Sequence, residues 1–136
     1  MTHVVDTSVI LKWVVHEDDS ALARAWAGTA LTAPDLIEAE LANALWKKVR
    51  RGEIDPRQAL RAFLEAPEAL VIVPALPLLE QALPMAFGLN HPVCDCVFLA
   101  LADRLQLRLL TADKRLVKAC AGTRFQNMLR PLHEEI

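Results

Sequence analysis

Pro92-Val93-Cys94-Asp95-Cys96-Val97-Phe98-Leu99-Ala100-Leu101-Ala102-Asp103-Arg104-Leu105, followed after Gln106 by Leu107-Arg108-Leu109-Leu110 and Thr111-Ala112-Asp113, reads as a helix, a strand and the start of another helix. Pro92 opens the first helix, where its missing N–H leaves no bond unmade. Val97 to Ala102 is apolar on every side, so this helix has no face to give to water and must be central. Leu107 to Leu110 is a short apolar strand. Asp113 or Thr111 can then cap a helix running to about Ala119. Buried helices alternating with short apolar strands imply a parallel sheet covered on both faces.

The same alternation runs through the rest of the chain. His3-Val4-Val5 is a strand ending at Asp6, and Thr7 or Ser8 caps a helix from Val9 to about Val15. A second helix covers Ser20 to Ala27. Pro34 fits the first position of a long helix that reaches about Arg51 and is stopped by Gly52. Asp55-Pro56 starts a helix over Arg57 to Leu64. Leu70-Val71-Ile72-Val73, bounded by Pro74, reads as a buried strand, and a helix follows from about Pro77 to Phe87, ending at Gly88. In such sheets ligands bind beyond the carboxyl ends of the strands, which is where Asp6 and Asp113 fall.

A length of 136 residues fits one domain over 1–136, and a hydrophobic fraction of 54% is enough for a core. The net charge of -2 provides no global basic field, so nucleic acid would have to be met by a local patch or a metal. The three cysteines are an odd number without C-x-x-C spacing and read as reduced thiols. Asp6 interrupts the only N-terminal apolar run, and no basic segment precedes it. No apolar run approaches the roughly 20 residues needed to span a bilayer. A soluble, cytoplasmic protein without a membrane segment is expected.

Four acids stand where a cation site would need them: Asp6, Glu40, Asp95 and Asp113. Like-charged carboxylates repel and are costly to desolvate, so a chain that converges them usually holds a divalent cation. Asp6 ends the first strand, where it either caps the next helix or serves a site. Thr7 and Ser8 already offer capping oxygens. At about 100° per residue, Glu40, Asn43 and Lys47 share one helical stripe with Arg51 near it, beside an apolar stripe of Ile37, Leu41, Ala44 and Leu45. Glu40 therefore sits at the border of the buried face. Glu38 falls on another side and is the weaker candidate. Asp95 occupies the first turn of the most apolar helix. The helix dipole favours a carboxylate there, yet a charge entering a buried helix needs a partner and no basic residue lies within one turn. Asp103 reads as a solvated residue near the helix end. Asp113 is equally readable as an N-cap.

Taken together, Val5-Asp6-Thr7-Ser8, Glu40-Leu-Ala-Asn43-Ala-Leu, Asp95-Cys-Val-Phe98-Leu-Ala-Leu-Ala and Leu110-Thr111-Ala112-Asp113 resemble the PIN-domain nucleases, especially the VapC-type toxins of prokaryotic toxin–antitoxin pairs. The resemblance covers nearly the whole chain. It implies a three-layer α/β/α sandwich with a central, mostly parallel sheet, Mg²⁺ (or Mn²⁺) bound by the acidic cluster, and endonucleolytic cleavage of RNA. By position, Asp6, Glu40, Asp95 and Asp113 take the acidic roles, with Ser8, Asn43 and Thr111 as supporting polar residues. It further implies a small antitoxin whose tail enters the site, and a homodimer. The family commonly has Tyr before the third acid. Here Cys94 and Cys96 flank Asp95, and the chain has no Tyr at all. Asp95-Cys96 with His91 nearby raises the question of zinc, but the spacing suits no common zinc site.

The arrangement expected has Asp6 and Asp95 as direct ligands, with Glu40 and Asp113 binding through water or placing a second ion. Phosphate contacts could come from Lys47, Lys48, Arg50 and Arg51, or from Lys114 and Arg115, which serve solubility equally well. Trp13, Trp26 and Trp46, with Leu31 and Leu36, offer partner-binding surface, although core is the commoner fate of such aromatics. Two other readings remain. One is a catalytically silent PIN-like binding module whose site takes a partner's Arg or Lys. The other is an aspartyl-phosphate phosphatase-like enzyme using Asp6, which would want a second Asp where Ser8 stands.

Overall fold

Five short strands form one sheet: β1 (His3–Val5), β2 (Leu31–Pro34), β3 (Leu70–Val73), β4 (Arg108–Thr111) and β5 (Leu129–Pro131). Their order is β3-β2-β1-β4-β5, and every neighbouring pair is parallel. The computed structural model describes residues 1–133; residues 134–136, the end of the domain expected over 1–136, lie outside the described residues. Between the strands run α1 (Thr7–Val14), α2 (Ser20–Arg24), α3 (Leu36–Arg50), α4 (Pro56–Glu65), α5 (Leu79–Leu89), α6 (Val93–Leu105) and α7 (Lys114–Cys120).

Parallel neighbours need crossovers, and crossovers of this kind are right-handed. The chain moves from β1 to β2 to β3 in one direction and from β4 to β5 in the other. Right-handed connections therefore place α1 to α4 on one face and α5 to α7 on the opposite face, giving three layers. α6 packs against β1, β2, β4 and α5, and Cys96 to Ala102 are all buried within it. Its all-round apolar sequence thus reports its central position. The strand order reverses between β1 and β4, so the crevice beyond their carboxyl ends is the ligand position of a doubly wound sheet.

Several boundaries differ from the sequence reading. Leu31–Pro34 is a strand, buried at all four positions, rather than the approach to a helix. Pro34 is its last residue, where a missing N–H is tolerated, and α3 starts at Leu36. β5 was not foreseen. β3 is an edge strand with Val71 half exposed, not a fully buried one. α5 runs through Gly88 and is ended instead by Asn90, which takes a left-handed φ of 50°. Gly52, at φ 76°, does end α3 as expected, and Asp55 forms a capping box with Gln58 at the start of α4.

No single helix among the described residues is long and apolar enough to cross a membrane. The bent pair Leu76–Leu89 and Val93–Leu105 has that composition because α6 is core.

Candidate functional site

Asp6 follows β1 and pairs in register with the end of β4, its N–H donating to the Leu110 carbonyl at 3.2 Å. Contrary to the capping by Thr7 or Ser8 expected from sequence, Asp6 itself is the N-cap of α1, and its Oδ1 accepts from the Ser8 N–H at 3.0 Å. The Ser8 hydroxyl also donates to Asp6 Oδ1, and the Thr111 hydroxyl donates to Oδ2. Ser8 Oγ in turn accepts from the Ala112 N–H at 2.9 Å, and Thr111 Oγ1 accepts from the Asp113 N–H at 3.0 Å. These bonds stitch the end of β1 to the end of β4 and fix the Asp6 carboxyl. Asp6 is 8% exposed. Burial, against the lowering effect of the Ser8 and Thr111 hydroxyls, pushes its pKa up to about 7, and the nearby Asp95 and Asp113 add to the rise.

The other three acids reach the same cleft from separate elements. Glu40 lies on α3 above the buried stripe of Ile37, Leu41 and Leu45. Its Oε1 accepts from the Thr7 hydroxyl at 2.8 Å, and burial, with Asp95 nearby, raises its pKa. Asp95 stands in the first turn of α6. Asp113 caps α7, and both capping bonds fall on Oδ1, from the Arg115 and Leu116 N–H groups at 2.9 and 3.4 Å. Asp6, Thr7, Ser8, Glu40, Asn43, Lys47, Asp95 and Asp113 line one cleft of about 240 Å³. Thr111 lies behind it, fully buried.

One participant escaped the sequence reading, and a second, His91, enters it only as a zinc donor and not as the partner of Asp95. Thr7 had been assigned to capping, yet its hydroxyl serves Glu40, a partner far away in sequence that no local pattern can reveal. His91 contradicts the expectation that Asp95 lacks a basic neighbour within one turn, since its Nε2 lies 2.7 Å from Asp95 Oδ2. The i, i+4 interval was visible, but His91 precedes the proline that starts the helix and so fell outside the helical count. Asp103 is less free than expected, accepting from the Gln81 amide at 2.8 Å.

Of the basic residues proposed for phosphate contacts, Lys47 lines the cleft and Lys114 and Arg115 are exposed beside Asp113. Lys48 is committed elsewhere, 3.1 Å from Glu17 and 3.2 Å from Glu53, and Arg50 lies over the Trp46 ring. Trp13 and Trp26 pack against the core, and Leu31 is fully buried. Trp46 is 54% exposed and, with Leu45, Val49, Ala59, Leu60 and Phe63, borders an apolar groove of about 450 Å³ between α3 and α4.

The donor set suits a divalent cation. Carboxylate oxygens from four different elements face one space, and burial, with Asp95 and Asp113 nearby, raises the Asp6 carboxyl far above its ordinary range. Among the described residues, His91, Asp95 and Asp113 each offer one donor atom within 4.8 Å of the others.

A parallel five-stranded sheet with acids gathered at its switch point is the architecture of a known family. Residues 3–122 match the PIN domain family model, and the chain belongs to that family. It is 33% identical over 123 residues to Ribonuclease VapC3 of Pyrobaculum aerophilum, covering 87% of this chain and 94% of that protein. It is 38% identical over 89 residues to Ribonuclease VapC1 of Mycobacterium tuberculosis, covering 64% of this chain and 65% of that one. A chain of a toxin–antitoxin complex from Klebsiella pneumoniae shares the fold, with a TM-score of 0.71 at 17% identity over 98% of this chain and all (100%) of that one.

Proposed function

We propose that the chain is a metal-dependent endoribonuclease, the toxin of a toxin–antitoxin pair, acting in the cytoplasm. The observation that carries this reading is the meeting of Asp6, Glu40, Asp95 and Asp113 in one cleft at the sheet's switch point. Membership of the PIN family and likeness to proteins named ribonucleases support it.

Asp6 and Asp95 would hold Mg²⁺, or Mn²⁺, with Glu40 and Asp113 directly or through water. The bound cation supplies a more acidic water and offsets charge on the phosphate. Ser8 and Thr111 keep Asp6 in place by donating hydrogen bonds to it. Glu40, whose pKa burial raises, is suited to take the proton of an attacking water. Asn43 and Lys47 line the same cleft and would meet the phosphodiester backbone there. No base-reading surface is needed for that chemistry, and RNA preference would come from single-stranded access.

The same helix, α3, presents the acids' Glu40 on one side and the Trp46 groove on another. An antitoxin segment with an apolar helix for the groove and a basic side chain for the acidic cleft would bind both at once. Exposed Leu79, Leu83 and Phe87 on α5 would serve a homodimer.

The test is incubation of the purified full chain, free of co-expressed partner, with a mixed-sequence fluorogenic RNA in Mg²⁺, Mn²⁺ or EDTA, beside Asp95→Asn. Cleavage that requires metal and disappears in the variant is expected. Absence of cleavage in every metal from well-folded protein would contradict the reading and favour a silent binding module.

A further inference from the structure

His91 is the group at the cleft for which the ribonuclease reading has no use. It is held at both ends. Its N–H donates to the Ala86 carbonyl at 3.2 Å, closing off α5 after the left-handed Asn90, and the next residue is Pro92, extended at φ -54° and ψ 141° before α6 begins. The backbone of His91 is therefore pinned between a helix end and a proline. Its side chain is 10% exposed, with Nε2 2.7 Å from Asp95 Oδ2. One donor atom each from His91, Asp95 and Asp113 lie within 4.8 Å of one another.

Donors sharing an octahedral ion at about 2.1 Å lie about 3 Å apart when adjacent and about 4.2 Å when opposite. The three groups, within 4.8 Å of one another, come to that spacing with side-chain adjustments of less than about 1 Å. Mg²⁺ is satisfied by oxygen alone, whereas imidazole nitrogen favours first-row transition dications.

We propose that His91, Asp95 and Asp113 form a mixed nitrogen–oxygen site that selects a transition dication such as Mn²⁺ over Mg²⁺. The proposal deepens the metal-dependent reading above and rests on it. Asp95 supplies charge, Asp113 a second carboxylate from the far side of the switch point, and His91 the discriminating donor.

The experiment titrates the full chain with Mn²⁺, following free ion by electron paramagnetic resonance and bound ion by its ¹⁴N modulation. Mg²⁺ competition gives the second affinity. The wild type is expected to show imidazole nitrogen coupling. His91→Gln should lose that coupling and on the order of tenfold in Mn²⁺ affinity, while Mg²⁺ affinity moves by less than about threefold. Mn²⁺ bound without nitrogen coupling, or an equal loss of both ions in His91→Gln, would overturn the proposal. If the variant does not fold, the wild-type coupling decides alone. Failure of the chain to bind either ion would overturn the metal-dependent reading itself. Ion binding with nitrogen coupling but no RNA cleavage would instead uphold this site and remove the nuclease.

Discussion

Lys12, Glu17, Asp19, Lys48 and Glu53 mix the two signs, whereas Asp6, Glu40, Asp95 and Asp113 share one. The first set ties α1, the loop after it and α3 together, with Lys12 2.5 Å from Glu17 and 2.9 Å from Asp19, and Lys48 bridging Glu17 and Glu53. The lysines hold the Glu17 and Asp19 carboxyls below their ordinary pKa range. In the second set, burial pushes Asp6 and Glu40 above it. A fold that neutralises one carboxylate cluster so thoroughly could neutralise the other. Leaving like charges together costs stability, and such a cost is retained where a ligand offsets it.

The sharpest way to break that contrast is to compare variants of the two regions. Asp95→Asn should lower metal-dependent RNA cleavage by about 100-fold or more, the scale of losing one charge-stabilising group. Its melting temperature in EDTA should be unchanged or higher. A destabilised Asp95→Asn would mean that the cleft is structural.

The pH dependence of the two regions should run in opposite directions. Asp6 titrates near 7 in the fold, against 3.8 for the free side chain, so the native state holds the extra proton between those values. Its contribution is fully present below about pH 4 and lost as pH rises through 7. At about 1.4 kcal/mol for each pH unit spanned, cation-free protein should lose roughly 4 kcal/mol to this group over that window. Glu17 and Asp19, with lowered values, contribute above the unfolded carboxylate range near about pH 4 and lose that contribution as pH falls further. Urea unfolding in EDTA across pH 3–8 reads both, and Asp6→Asn should flatten only the upper window.

Smaller effects follow on the paired side. Lys48→Met should cost about 1–2 kcal/mol, between the values of exposed and buried pairs, and leave cleavage unchanged. Cys94→Ser, at an exposed position beside Asp95, should leave metal affinity and cleavage within about twofold of wild type, showing that its thiol is no part of the site. Denaturation curves measure the first, and metal titration with the cleavage assay the second.

What could be read from sequence follows from how local each signal is. Asp6 and Asp113 end strands whose apolar runs are contiguous, and Val97 to Ala102 announces a central helix without help from the rest of the chain. β2 was hidden because Leu31-Thr32-Ala33-Pro34 has neither a β-branched run nor alternation, and its proline also suits a helix start. Its strand character comes from pairing with β1 and β3 on either side. β5 is three residues at an edge. The bond from Thr7 to Glu40 and that between His91 and Asp95 were missed for a related reason. A hydroxyl that serves a distant carboxylate obeys no periodicity, and an imidazole that precedes the proline opening a helix falls outside the helical count.

The most direct measurement is equilibrium unfolding of the wild type and Asp6→Asn at pH 7.5, with EDTA and with Mn²⁺ or Mg²⁺. If the acidic cleft is costly until a cation occupies it, the wild type gains stability with the ion, by about 2.7 kcal/mol at one hundred times the dissociation constant. In EDTA, Asp6→Asn should then be the more stable of the two and should gain less from the ion. A wild type indifferent to both ions, or an Asp6→Asn that is less stable than wild type in EDTA, would contradict the account.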